Sequence, residues 1–290
     1  MSGPAARSGR LAVLALALAA ARAAAQLEVA CTLEQTSYVL GEPIRADVRI
    51  VNHGSMPYAV ADGPVFRQNG LFFEIRNAAR DLVEPLRGDA RLIGDLLLEP
   101  GKSHDAAYEL DEWYPLRRTG RYFLTAQVRD GNRRYDAATR AIDVVPGIEM
   151  RGAVQLFGDR PDEQRRLTLV YWMRRQAEFL FLRATDSPGE RVLTTVELGQ
   201  LLRTTDPTIA VTPDGEVTVV HRATRDVFLK TRVRSSREGV VLLDQERILD
   251  AQSVRTAEAD AAVRAGGRKP KGGHWWWPFG GSGEKASGGQ

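Results

Sequence analysis

The chain has 290 residues, with 40 Lys and Arg against 37 Asp and Glu. The basic excess sits at the ends: residues 1–25 carry Arg7, Arg10 and Arg22 and no acid, residues 266–290 carry four basic residues and one acidic, and residues 26–265 carry 33 basic and 36 acidic. An acidic body argues against a nucleic-acid partner, which needs clustered basic charge, and a single cysteine excludes an internal disulfide.

Residues 1–25 read as a secretory signal. Arg7 and Arg10 form a basic n-region, "LAVLALALAAA" (11–21) is the apolar h-region, and Ala23-x-Ala25 precedes Gln26 as a small-residue cleavage site. The stretch is shorter than a stable membrane span, and no other segment approaches the ~20 apolar residues a span requires. The expected address is therefore the periplasm or the extracellular space. A lipoprotein would instead acylate Cys31, but "EVAC" puts Glu28 at position −3, where a lipobox is apolar. In "LEVACTLE" the residues Leu27, Val29, Cys31 and Leu33 alternate with polar or small neighbours, so Cys31 reads as a buried hydrophobe on a strand.

Residues 26–146 read as short strands with turns between them. "IRADVRIVN" puts Ile44, Ala46, Val48 and Ile50 on one face, and "YVLGEPI" turns at Gly41 and Pro43. Further strands are expected at "LFFEIRN", "DLVEPL", "DAAYELDEW", "GRYFLTAQV" and "YDAATRAIDVV". Some seven short strands between Gly, Pro and Asn turns predict an antiparallel β-sandwich. The phrases "SYVLGEPIRADVRIVNHGSMP" and "LEPGKSHDAAYELDEWYPLRRTGRYFLTAQV" resemble the immunoglobulin-like domains of bacterial exported proteins, including accessory and proteinase-inhibitor domains. The resemblance is one of scaffold over about 120 residues and brings no catalytic residues. It implies a tyrosine corner at Tyr122 in "TGRYFLT", with Leu124 where antibody domains carry their second cysteine.

Pro146 and Gly147 mark a boundary, and 147–250 carries an internal repeat. "RLTLVYWMRRQAEFLFLRATDSPGERVLTTVEL" from Arg166 matches "EVTVVHRATRDVFLKTRVRSSREGVVLLDQERI" from Glu216, pairing Leu167 with Val217, Leu169 with Val219 and Tyr171 with His221. Each unit reads as three strands, similar to a propeller blade. Two blades cannot close a ring, which leaves an open two-sheet unit, closure by oligomerisation or a six-stranded meander. The fold class is thus mainly β: a sandwich over 26–146, a β-repeat domain over 147–250, a short Ala-rich helix over 251–265, and a Gly-rich disordered tail over 266–290.

No catalytic motif stands out: there is no G-x-S-x-G, H-E-x-x-H or P-loop. The four histidines, His53, His104, His221 and His274, are not at metal-ligand spacing, so no metal or cofactor is implied. The neighbours Tyr171 and Trp172, and likewise Trp113 and Tyr114, face opposite sides of their strands. The outward ring either packs on a neighbouring element or offers a stacking platform to a protein or glycan partner. Tyr171, Trp172, His221 and Trp113 are the candidate binding residues. Trp275, Trp276, Trp277 and Phe279, beside Arg268, Lys269 and Lys271, suit weak contact with a membrane surface or docking into a groove of this protein or a partner. The expected function is a non-enzymatic binding or structural module of the cell envelope or exterior. An inhibitor or accessory subunit of an exported hydrolase is the alternative, and a divergent hydrolase a second.

Overall fold

A computed structural model describes residues 26–61, 69–87, 91–157, 164–187 and 191–250. The leader at 1–25, the helix expected over 251–265 and the tail with Trp275–Trp277 and Phe279 lie outside the described residues. The chain is mainly β with antiparallel sheets.

The first ten strands are β1 (Leu27–Leu33), β2 (Ser37–Val39), β3 (Arg45–Asn52), β4 (Tyr58–Val60), β5 (Gly70–Asn77), β6 (Leu96–Leu98), β7 (Ser103–Glu109), β8 (Gly120–Asp130), β9 (Arg133–Asp136) and β10 (Arg140–Val145). Alternation dictates them: in β3 Ala46, Val48 and Ile50 are buried while Arg45, Asp47 and Arg49 face water. One sheet has the order β1-β3-β7, a second β2-β10-β8-β5 with β9 paired to β8, and β4 and β6 form a two-stranded ribbon. The facing sides of the two larger sheets share one core, in which Cys31, Val48 and Ile50 of the first meet Ile75, Leu124, Val128 and Ile142 of the second. Burial pushes the Cys31 thiol up to about 11, as a strand residue in a core requires. The short β2 runs parallel to β10, unlike the other pairs. The Tyr122 hydroxyl donates to the Arg118 carbonyl at 2.9 Å, pinning the entry to β8.

Three expected strands come out differently. "DLVEPL" makes only a single bridge, Leu82 to Arg76, because Pro85 has no N–H to continue a ladder. β7 ends at Glu109 and the chain tightens into a 3₁₀ turn, Leu110–Glu112, where the Leu110 carbonyl accepts from both Trp113 N and Tyr114 N. "YDAATRAIDVV" divides into β9 and β10, which pair with different stretches of β8.

Beyond Gly147 lie β11 (Ile148–Leu156), β12 (Gln164–Arg174), β13 (Ala177–Ser187), β14 (Arg191–Gln200), β15 (Thr208–Val211), β16 (Glu216–Thr224), β17 (Val227–Ser236) and β18 (Gly239–Leu249). They form two four-stranded meanders in sequential order, β11-β12-β13-β14 and β15-β16-β17-β18. The repeat pairs fall on equivalent strands, with Leu167 and Leu169 of β12 packing in one core with Val217 and Val219 of β16. Each meander gains a leading strand, β11 or β15, that the three-strand reading lacked. Of the three arrangements left open by the sequence, this is the two-sheet unit. Arg165 clamps the two sheets: its buried guanidinium donates to Asp186 Oδ1 on one and to Ser235 Oγ and the Ser236 carbonyl on the other, at 2.6, 2.9 and 2.7 Å.

Candidate functional site

The first meander is the middle layer of the molecule. One face meets the second meander; the other packs against the sandwich through Val170 and Phe181, which share a cluster with Val39 and, partly buried, Val145, Trp172 and Phe179. Trp172 therefore faces the sandwich, and its Nε1 donates to Ser37 Oγ at 3.1 Å. Arg174, two residues on and on the same face, donates through Nη2 to Glu42 Oε2 and through Nη1 to Glu197 Oε2 at 2.8 Å, with its guanidinium 4.7 Å from the Phe181 ring centroid. Glu42 Oε2 also accepts from Val39 N at 2.8 Å. Burial pushes the Glu42 carboxyl up while Arg174 pulls it back down; burial likewise raises Glu197. Glu42 and Glu197 converge, but on a shared cation rather than on an open cavity, which gives them a joining role.

Gly41 allows this joint. Its φ of +86° belongs to the left-handed region, and a Cβ there would stand 2.4 Å from Val192 Cγ1 of β14. The Gly41 carbonyl accepts from Thr195 N at 2.8 Å and the Leu40 carbonyl from Thr195 Oγ1 at 2.6 Å. The sandwich thus leans on β14, the last strand of the first meander.

The other sequence candidates are spread apart. Tyr171 points into the core between the meanders and is half-buried. Arg203 lies 4.5 Å over its ring, donates to its hydroxyl at 3.1 Å, and is held by Glu178 at 2.6 Å. His221, its repeat counterpart, is buried, with Nε2 at 3.2 Å from the Gln200 carbonyl and Nδ1 without a partner among the described residues. Burial lowers its pKa. Trp113 is half-buried against the sandwich core, with its carbonyl accepting from Leu86 N at 2.7 Å. The structure brings none of the four onto a common surface with another.

A different surface emerges at β18. Thirteen large apolar side chains are exposed among the described residues, and five of them, Val241, Leu242, Leu243, Ile248 and Leu249, belong to this one strand. β18 pairs with β17 on one edge, no strand pairs with its other edge among the described residues, and it approaches β14 across the two sheets. Its equivalent in the first meander, β14, is covered where the sandwich leans on Val192 and Thr195; among the described residues no comparable turn of the sandwich lies on β18. β18 is held from beneath by Gln245, whose Nε2 donates to the Leu198 carbonyl at 2.8 Å and to Thr231 Oγ1 at 2.9 Å. On its solvent face Asp244 pairs with Arg232 on β17, which lowers the carboxyl's pKa. Single residues do not reveal this strand, because an edge is a property of sheet order. Its one local sign is "VVLL" (240–243), an apolar run without alternation.

No helix among the described residues is long and apolar enough to cross a membrane, and no group of three or more His, Cys, Asp or Glu is placed to hold a metal ion among them. No family model matches the chain, and no curated protein does. Among solved structures it is similar to Spo0M, a sporulation control protein from Bacillus subtilis, with a TM-score of 0.29 and 11% identity over 83% of this chain and 97% of that one.

Proposed function

We propose that this chain is an exported, non-enzymatic binding module of the cell envelope or exterior, built on an immunoglobulin-like sandwich and presenting the free edge of β18. The observation that carries the binding role is the concentration of exposed apolar side chains on one strand whose outer edge pairs with no other strand among the described residues. Such an edge is a template for strand addition by an extended segment of another protein, with the backbone supplying affinity and the apolar side chains selectivity. Support for the immunoglobulin-like label comes from two sheets packed over one core and the Tyr122 corner. Export rests on the leader at 1–25.

An exposed edge strand also suits an inhibitor or accessory subunit of an exported hydrolase, which remains the second reading. Two measurements test the proposal. Cell fractionation with N-terminal sequencing should find a mature chain starting at Gln26 outside the cytoplasm. Capture of a protein partner from that fraction should fall strongly for Val241→Lys at unchanged circular dichroism and melting temperature. Equal capture by the variant would remove β18 from the interface. A captured hydrolase whose turnover drops on addition of the protein would favour the inhibitor.

A further inference from the structure

We propose that the first meander holds a second binding site, independent of β18, for a sugar that carries one carboxylate group. The site is the uncovered end of the face that meets the sandwich.

Strand register builds it. Val170 and Phe181 are paired across β12 and β13 and pack against the sandwich. Side chains alternate along a strand, so the pairs Thr168–Arg183, Arg166–Thr185 and Gln164–Ser187 continue that face. There the sandwich contributes only Leu40, and a groove of about 340 Å³ opens beside Leu40, Val154 and Val192, a size suited to a small molecule. On its floor Gln164, Thr168, Thr185 and Ser187 hydrogen-bond through their side chains to no other described residue. Thr168 is only 3% exposed, and its hydroxyl has the groove as its outlet, where a buried polar group needs a partner. Opposite it on β11 stands Gly152, which leaves that hydroxyl uncovered. The φ of Gly152 is not left-handed, and a Cβ there would make ordinary contacts, 3.8 Å from Thr168 Oγ1 and 4.0 Å from Arg166 Nε. The backbone therefore does not require glycine, whereas the open groove does.

Positive charge is in excess at the groove. Glu149 accepts from two guanidiniums, Arg183 Nη2 at 2.5 Å and Arg166 Nη2 at 3.2 Å, while Asp186 at the rim is matched by Arg165 at 2.6 Å. Arg183 donates its other terminal nitrogen to the Pro146 carbonyl at 2.7 Å. Arg166 is more than half exposed, and among the described residues its Nε and Nη1 have no acceptor. A guanidinium with free N–H groups suits a carboxylate, and one surplus positive charge calls for a monoanion. The hydroxyls and the carboxamide on the floor both donate and accept, as the hydroxyls of a sugar ring do. Val154 and Val192 at the sides offer apolar contact to the C–H face of the ring.

Titration of the full chain with D-glucuronate at constant ionic strength, followed by amide NMR, tests this. Saturable shifts should centre on Gly152, Thr168 and Thr185. Glucose, which lacks the carboxylate, should bind about ten-fold more weakly. Arg166→Gln should weaken glucuronate binding by a similar factor, and Gly152→Val should abolish it at unchanged melting temperature. No saturable shift, or glucose, acetate or inorganic phosphate binding as tightly as glucuronate, would overturn the proposal. Binding undiminished in both Arg166→Gln and Gly152→Val would overturn it as well. Val241→Lys should leave glucuronate binding unchanged, so failure of this site and failure of the β18 reading are told apart.

Discussion

Tyr122 donates its hydroxyl to the Arg118 carbonyl at 2.9 Å, a bond that Tyr122→Phe removes without changing the ring packed in the core. Loss of one such bond costs about 1 kcal/mol, so urea unfolding of the variant should show that decrease with an unchanged slope. The pattern "TGRYFLT" was enough to find this residue, because the corner uses a carbonyl only four residues away. His221 was legible only as a repeat counterpart of Tyr171; its burial came from sheet stacking. Since burial lowers its folded pKa below the ordinary 6.5, the unfolded chain takes up the proton first. Its contribution to stability is therefore complete above pH 6.5 and is lost as pH falls from there toward the folded value. His221→Gln keeps a donor for the Gln200 carbonyl and cannot titrate. The gap in unfolding free energy between variant and native protein should shift in the variant's favour between pH 7.5 and 5.5, and a pH-independent gap would show that His221 does not protonate on unfolding.

At the scale of elements, the turn at Gly41 joins two units that the sequence shows only side by side. The expectation of a turn there was correct, and "YVLGEPI" gave its reason. The second demand on this residue, the 2.4 Å approach of Val192, lies 151 positions along the chain and has no local sign. Gly41→Ala combines a left-handed φ with a steric overlap, so it should cost about 2–4 kcal/mol. Thermal melting would measure that loss, and limited proteolysis should show faster cleavage near the turn. Repeat and alternation likewise located β12, β13, β16 and β17. They did not locate β11 or β15, whose partners are needed to define them.

For the whole molecule, the Arg174 junction decides whether the sandwich and the first meander behave as one body. Arg174 and Glu42 have side chains only 7% and 8% exposed, so removing one partner leaves a buried charge uncompensated. Arg174→Ala should cost about 3–5 kcal/mol and separate the melting of the two units in calorimetry. The combined change Glu42→Gln, Glu197→Gln and Arg174→Met, which leaves no charge at the junction, should recover most of that loss. If both variants melt like the native protein, the ion pair does not hold the junction.

By itself the sequence determined the class of structure. Period-two alternation, turn residues and a fifty-residue repeat are local properties, and they specify strands, their facing sides and their approximate count. Tertiary structure alone decided which edges are covered. β14 and β18 occupy equivalent places in a repeated meander, yet one meets Gly41 of the sandwich and the other presents Val241, Leu242 and Leu249 to water. It also turned Trp172 from a candidate platform into a neighbour of Ser37. The physical reason is the same in both cases: a strand's own residues set which way its side chains point, but only sheet order and layer stacking set what they meet.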